Sequence, residues 1–138
     1  MNSVNFGANQ FCGPSVISAI AGINTDEAVA VVISTSDRKR KIVTGLYMYE
    51  LKAAFKELGF ECSDVIPSAR TVFGCLYSIS RSSGNGYYVF MVPGHFIAIE
   101  LNGEHKFICD NRSKTPVNAA ASSRLGMKVN LIIKVTKK

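Results

Sequence analysis

Cysteine is scarce in this chain of 138 residues, and no two cysteines are close enough to form a CxxC pair. The four that occur, Cys12, Cys62, Cys75 and Cys109, are widely separated. A disulfide framework or a structural zinc site usually shows more cysteines or closely spaced pairs, so both are disfavoured. Free thiols are typical of a reducing compartment, and we therefore expect a cytoplasmic protein.

Long apolar runs are also missing. The N-terminal segment MNSVNFGANQ contains no basic stretch followed by an apolar one, as a signal peptide would. No window approaches the roughly 18 successive apolar residues of a membrane span, so we expect neither secretion by a signal peptide nor membrane attachment. Apolar residues make up 47% and charged residues 19% of the chain, which is the composition of a folded domain.

A positive net charge of +6 remains to be explained, and much of it comes from the run Arg38 to Lys41. Neither aromatic residues spaced for base stacking nor a helix suited to groove reading accompanies this run. We predict that it is a solvated loop. The alternative is that Arg38 to Lys41 binds nucleic acid or an acidic partner, with an affinity that weakens steeply with salt.

The length predicts one domain that covers residues 1–138. In CGPSVISAIA, from Cys12 to Ala21, apolar residues occupy most sides of a helix, which should therefore be central in the fold. Asn24, with Glu27 three residues later, has the form of a capping box for a second helix. A third helix, a short strand and a fourth helix are predicted near 46–58, 60–65 and 71–81.

From Gly86 onward the pattern changes from helices to successive strands, predicted at 86–92, 95–101, 104–110 and 128–135. Helices first and strands afterwards predict an α+β domain with segregated layers. Its helical half should comprise about residues 1–81, packed on a C-terminal antiparallel sheet of about residues 86–136.

Asn102-Gly103, between two apolar runs, is a strong signal for a two-residue hairpin loop. This loop would pair Leu101 with Glu104, and further along it would pair Ile99 with Lys106 and Ile97 with Ile108. At the end of the ladder it would place His95 directly opposite Asp110.

Opposed side chains share one sheet face, with Cβ atoms about 4.5 to 5.5 Å apart, so the Asp110 carboxylate could orient the His95 imidazole. The other histidine, His105, would pair with Glu100 and project from the opposite face. A bulge in the hairpin would shift the pairing, and Asn111 would then be the substitute orienter.

Cys12 is predicted at the N-terminus of a buried helix. A helix N-terminus and a neighbouring imidazolium both lower the pKa of a thiol, and the unpaired first-turn amides can bind an oxyanion. The other cysteines lie in or beside apolar runs and are predicted to be core thiols. A metal site made of Cys12, His95 and Asp110 lacks any paired ligand spacing, so we expect no metal and no other cofactor.

The segments NQFCGPSVISAIAG, GHFIAIE and FICDN resemble the Cys, His and Asp blocks of papain-like cysteine peptidases, especially the C39-like group and its small phage-encoded relatives. The resemblance implies a papain-like fold whose central helix starts at the cysteine. It also implies that Cys12 is the nucleophile, His95 the general base and acid, and Asp110 the orienter. A phage-encoded relative would function in the host cytoplasm or inside the virion.

The glutamine of the family's oxyanion hole usually lies six residues before the cysteine, where this chain has Phe6. Gln10 is the candidate replacement, and Asn5 is the alternative. The implied activity is hydrolysis of a peptide or isopeptide bond in a protein or peptide substrate by a Cys-His-Asp triad. The alternative is a weakly active or inactive papain-like scaffold that serves as a structural or binding protein, for example in a phage particle. The oligomeric state stays open.

Overall fold

The computed structural model describes residues 1–36 and 43–138. The basic run Arg38 to Lys41, with the interpretations attached to it, lies outside the described residues. Within the described residues the elements follow one another as α1 (Cys12–Ala21), α2 (Thr25–Thr35), α3 (Met48–Glu57), β1 (Phe60–Val65), α4 (Val72–Ser82), β2 (Gly86–Val92), β3 (His95–Asn102), β4 (His105–Cys109), β5 (Val117–Asn118), a short 3-10 helix (Ala119–Ala121) and β6 (Leu131–Lys137).

The central helix α1 has the predicted bounds. Every residue from Gly13 to Ile20 is buried, including two serines. These serines are satisfied locally, since the Ser15 hydroxyl donates to the Phe11 carbonyl at 2.7 Å and the Ser18 hydroxyl accepts from the Asn5 amide at 2.9 Å. Gly22 ends the helix in a left-handed conformation (φ 77°) that glycine adopts without steric cost.

The starts of the next two helices show which parts of the capping prediction hold. Asn24 caps α2 as predicted. Its side chain accepts from the backbone amide of Asp26 at 2.8 Å, however, and not from that of Glu27 as in a capping box. Helix α3 begins at Met48, two residues later than predicted, and Glu50 accepts from the Tyr47 amide at 3.0 Å. Among the helices of residues 1–36 and 43–138, none is long and apolar enough to cross a membrane.

The strands form one antiparallel sheet in the order β1-β6-β2-β3-β4-β5. Strand β1 comes from the helical part of the chain but pairs with the last strand, from Phe60 opposite Lys137 to Val65 opposite Ile132. The predicted α+β class, with helices packed on an antiparallel sheet, is confirmed. Strand β5 has only two residues, too few to show an alternating pattern, and it was not predicted.

Both faces of the sheet are covered by helices. Val89, Ala98 and Ile133 pack with α1, α2 and α3 in one core cluster. Their strand neighbours on the other face belong to a second cluster with α4. The helices therefore lie on both faces of the sheet, because β2 and β3 are apolar on both faces.

The predicted register of the β3–β4 hairpin is wrong by two residues. Asn102 pairs with His105, so the loop consists of Gly103 and Glu104. Gly103 alone has a positive φ (63°) in this turn. A type I′ turn on Asn102-Gly103 would need positive φ at both residues, whereas glycine in the first loop position is the requirement of a type II′ turn.

The observed register is favoured by burial. It places Ile99 opposite Ile108, and both side chains are almost completely inaccessible to solvent. The predicted register would have set Ile99 against Lys106. The pairing ends at Ala98 with Cys109, so His95 has no direct partner on β4. A shift of two residues keeps every side chain on its predicted face, so Asp110 is a diagonal neighbour of His95 and not the directly opposed residue that was predicted.

Candidate active site

Cys12 is half-buried at the first position of α1. The helix offers it few free amides, because Pro14 has no N–H and the Ser15 amide already donates to the Phe11 carbonyl at 3.1 Å. Cys12 and Gly13 therefore supply the first-turn N–H groups outside the helical hydrogen-bond pattern, and the Gly13 backbone is bonded to the Cys12 sulfur. These are the donors that a developing negative charge would meet there.

A cleft of about 250 Å³ opens beside the thiol. It is lined by Cys12 and His95 together with Thr44, Gly45, Leu46, Met91, Val92, Gly94, Phe96 and Asn130. Its wall is close to α1, since a Cβ atom on Gly13 would lie 2.4 Å from Cδ1 of Leu46. Only glycine at position 13 leaves Leu46 in its present place.

His95 is the first residue of β3 and follows the tight turn at Pro93-Gly94, where Gly94 has φ 67°. Its Nε2 atom lies 2.8 Å from Oδ2 of Asp110, and its ring lines the same cleft as Cys12. Because Nε2 is engaged with the carboxylate, Nδ1 is the nitrogen left for the sulfur. The tertiary structure therefore brings Cys12, His95 and Asp110 together.

Asp110 follows β4 directly, and its side chain is 1% exposed. The turn after the strand satisfies one carboxylate oxygen: Oδ1 accepts from the backbone amides of Arg112 (2.9 Å) and Ser113 (2.8 Å) and from the Ser113 hydroxyl (3.2 Å). The other oxygen, Oδ2, accepts from His95 and from Nε of Arg124 at 2.9 Å. The sequence offered no signal for Arg124, which lies in an irregular connection 14 residues away.

Opposing effects act on the Cys12 thiol. Burial alone raises its pKa. Hydrogen bonds from the His95 side chain and from the backbone of Phe96 and Gly13, together with the charge of the imidazolium, outweigh burial, so the pKa of Cys12 lies below its ordinary value.

The hydrogen bond to Asp110 is the main cause that raises the pKa of His95, to about 9, and the bond to Cys12 adds to it against the lowering effect of burial. Burial raises the pKa of the Asp110 carboxyl, but hydrogen bonds from His95, Ser113, Arg124 and Arg112 hold that pKa far below its usual range. The lowered pKa of Cys12 and the raised pKa of His95 both favour the ion pair of thiolate and imidazolium, the charge state in which the sulfur can attack.

The other three cysteines have raised pKa values, in contrast to Cys12. Burial raises the pKa of Cys62 and of Cys109 to about 11 and also raises that of Cys75. Cys75 and Cys109 are core thiols as predicted, while Cys62 is only half-buried on the edge strand β1. Cys12 is therefore the thiol that the structure favours for nucleophilic chemistry.

The remaining residues singled out in the sequence lie as follows. Asn111 donates from its side-chain amide to the Gln10 carbonyl at 3.1 Å, whereas it is Asp110 that bonds to His95. Gln10 is exposed and is not one of the described residues that line the cleft. Asn5 is bonded to Asn24 at the start of α2, with Nδ2 of Asn24 donating to its Oδ1 at 3.2 Å.

His105 is exposed at the far end of the hairpin, where it stacks on Phe107. It pairs with Asn102, not with Glu100 as predicted, yet it keeps the predicted face opposite to that of His95.

Comparison with known proteins gives matches in structure and none in sequence. No protein-family model matches the chain, and no curated protein matches it significantly. The peptidase domain of Streptococcus ComA, a bifunctional ABC transporter involved in a quorum-sensing pathway, has 16% identical residues and a TM-score of 0.65, over 99% of this chain and 98% of that one. A double-glycine-motif protease from an AMS/PCAT transporter, solved in complex with the leader peptide, has 10% identity and a TM-score of 0.59, over 100% and 93% of the two chains. The chain therefore has the C39-like, papain-like fold of these peptidase domains, as the resemblance in the sequence implied.

Proposed function

We propose that this protein is a cysteine hydrolase that cleaves an amide bond with Cys12 as nucleophile, His95 as general base and acid, and Asp110 as orienter of His95. The observation that carries the proposal is the 2.8 Å contact between His95 Nε2 and Oδ2 of Asp110, on a ring that lines the same cleft as Cys12. A histidine held in this way can move a proton between the sulfur and the leaving group without reorienting.

In the proposed reaction the Cys12 thiolate attacks the carbonyl carbon of the substrate, and the carbonyl oxygen becomes an oxyanion. The N–H of Cys12 is its backbone donor, since the Gly13 backbone is already bonded to the sulfur. His95 then protonates the amine leaving group. Finally, water activated by His95 hydrolyses the thioester and releases Cys12.

A second oxyanion donor is needed for full stabilisation of that intermediate, and we assign it to Gln10. This side chain is two residues before Cys12 on an exposed segment, so it can turn toward the cleft when a substrate binds. Mutagenesis of such donors in hydrolases typically lowers turnover by about 100- to 1,000-fold.

We propose a peptide or protein as the substrate, with isopeptide cleavage as a variant of the same chemistry. The structural relative from the AMS/PCAT transporter was solved with a leader peptide, and Cys12 and His95 here line a cleft of about 250 Å³. Leu46, which lies against Gly13, narrows the cleft at this point and favours substrates with small residues next to the scissile bond.

The test combines thiol reactivity with cleavage. Iodoacetamide at pH 6 should modify Cys12 faster than Cys62, Cys75 or Cys109, which are controls within the same molecule because their pKa values are raised. Mass spectrometry of digested protein locates the label. A library of extended peptides should then be cleaved by the native protein and not by Cys12→Ala. Equal labelling of all four cysteines, with no cleavage, would refute the proposal.

A scaffold with little or no catalytic activity is the second candidate, favoured by the position of Gln10 outside the cleft lining. It predicts that Cys12 is labelled rapidly but that no peptide is cleaved. The same pair of measurements therefore separates the two candidates.

A further inference from the structure

Arg124 contacts the Asp110 carboxylate at the same oxygen as His95. It lies in the connection between the 3-10 helix and β6, and its side chain is 15% exposed. Its Nε atom donates to Oδ2 of Asp110 at 2.9 Å, the same oxygen that is 2.8 Å from Nε2 of His95. Pairing a half-buried arginine with a buried carboxylate costs solvation free energy, which the pair offsets only through good geometry such as this short contact.

The two cations divide the accepting capacity of a single oxygen. Oδ1 is already occupied by the turn at Arg112 and Ser113, so Oδ2 is the atom that must serve both His95 and Arg124. An oxygen with two lone pairs is then fully used. The distances also place the two nitrogens less than about 6 Å apart, close enough for their charges to repel appreciably at an effective dielectric constant of ~20.

We propose that Arg124 is a positioning residue of the catalytic site. It fixes Oδ2 of Asp110 toward His95, and by sharing that oxygen it reduces how strongly Asp110 stabilises the protonated imidazole. This inference rests on the proposed function of Cys12, His95 and Asp110. With Arg124 present, the charges of thiolate, imidazolium, carboxylate and guanidinium sum to zero. Without it, the cluster carries a net negative charge, which favours protonated His95 and makes it a weaker acid.

The other titratable or charged groups around the cluster are few within the described residues. Cys109, next to Asp110, has a pKa raised to about 11 and stays neutral near neutral pH. The Arg112 side chain is exposed and permanently charged. The N-terminal ammonium, which acts on Cys109, is paired with Glu100 at 2.7 Å. Arg124 is accordingly the cation, besides His95 itself, that contacts the carboxylate.

The test measures the His95 pKa from its ring C2 proton by NMR and the pH dependence of Cys12 alkylation. The chain has two histidines, so the exposed His105 is an internal reference. We expect Arg124→Met to raise the His95 pKa by roughly one pH unit and to shift the alkylation midpoint by less in the same direction. The His105 signal should not move. If the Arg124–Asp110 ion pair only stabilised the fold, Arg124→Met would lower the melting temperature and leave the His95 pKa unchanged.

Lys128→Met is the matched control. Lys128 is exposed in the same connection, and its loss changes the net charge by the same amount without a contact to Asp110. It should shift the His95 pKa by less than about 0.3 units. An unmoved His95 pKa in folded Arg124→Met, or an equal shift in Lys128→Met, would overturn the inference.

Two further variants decide the matter if Arg124→Met does not fold. Arg124→Gln keeps a donor but loses the charge, and Arg124→Lys keeps the charge. The inference requires that the glutamine variant raises the His95 pKa relative to the lysine variant, and identical titrations of the two would contradict it. Because both readouts need no substrate, they remain informative even if no peptide is cleaved, which would count against the proposed function alone.

Discussion

Nε2 of His95 lies 2.8 Å from Oδ2 of Asp110, although the two residues are not paired across the β3–β4 ladder. The ladder ends at Cys109, and the turn that follows bonds to Asp110 through the amides of Arg112 and Ser113. The carboxylate is thus aimed by a turn, while the histidine is aimed by a strand. The site depends on both elements, and a change in either should be measurable.

Replacing Asp110 by Asn tests the orienting role. Asn keeps the shape but cannot neutralise His95 and Arg124, so we expect the His95 pKa to fall from about 9 toward its ordinary 6.5. Breaking a buried ion pair in this way should cost about 3 kcal/mol of unfolding free energy. NMR titration and urea unfolding measure the two effects. Asn111→Ala is the control, and if it reduced the His95 pKa as much, Asn111 would be the orienter.

The pH dependence of stability should reveal the coupling between Cys12 and His95. The raised pKa of His95 contributes stability that is fully present below about pH 6.5 and is lost as the pH rises through about 9. The lowered pKa of Cys12 acts in the opposite sense, because its contribution grows as the pH rises toward 9.0, the ordinary value for a thiol. In the native protein the two contributions therefore act against each other.

Cys12→Ala removes the contribution of the thiol to the pH dependence of stability and leaves that of His95. Because Asp110 is the larger cause of the raised His95 pKa, the variant should lose more than about 1 kcal/mol of unfolding free energy between pH 6 and pH 8.5. Urea unfolding at the two pH values measures it, with Cys62→Ala as the control that should follow the native protein. A native protein with the same slope as Cys12→Ala would show that the thiol and the ring do not form an ion pair, and a flat profile for Cys12→Ala would show that Asp110 alone does not raise the His95 pKa.

Gln10→Ala tests the second oxyanion donor. We expect peptide cleavage to fall by about 100-fold or more, while alkylation of Cys12 stays unchanged, because alkylation forms no oxyanion. Asn5→Ala should leave cleavage within a few fold, since Asn5 is engaged with Asn24 at the start of α2. The reverse result, with cleavage lost in Asn5→Ala and kept in Gln10→Ala, would transfer the role to Asn5.

Gly13→Ala tests the close approach of α1 and Leu46. The new methyl group would lie 2.4 Å from Cδ1 of Leu46, so Leu46 must move, and we expect a loss of about 1 to 3 kcal/mol in stability. The same substitution in a Leu46→Ala background should cost much less, as measured by thermal unfolding. Gly45→Ala is the matched control, because its new Cβ would meet nothing within 4 Å. Equal losses at Gly13 and Gly45 would rule out the steric explanation.

Local sequence patterns determined much of this fold. Apolar periodicity and the glycine at position 22 set the bounds of α1, and runs rich in apolar residues between turn residues set those of β1 and β2. These features depend on neighbours within a few residues, which is the range over which propensity, capping and turn chemistry act. The same local reasoning selected Cys12 and His95 and placed His105 on the other face, since face depends only on the parity of positions in a strand.

The tertiary structure decided what depends on distant partners. The hairpin register followed from the burial of Ile99 against Ile108 and from the turn at Gly103. The prediction counted residue pairs outward from a loop at Asn102-Gly103 and took neither into account. Arg124 contacts Asp110 from an irregular segment, so no periodic sequence pattern predicts this contact. Sequence patterns report local conformation, while packing and ion pairing among residues far apart in the chain depend on how the elements meet in three dimensions.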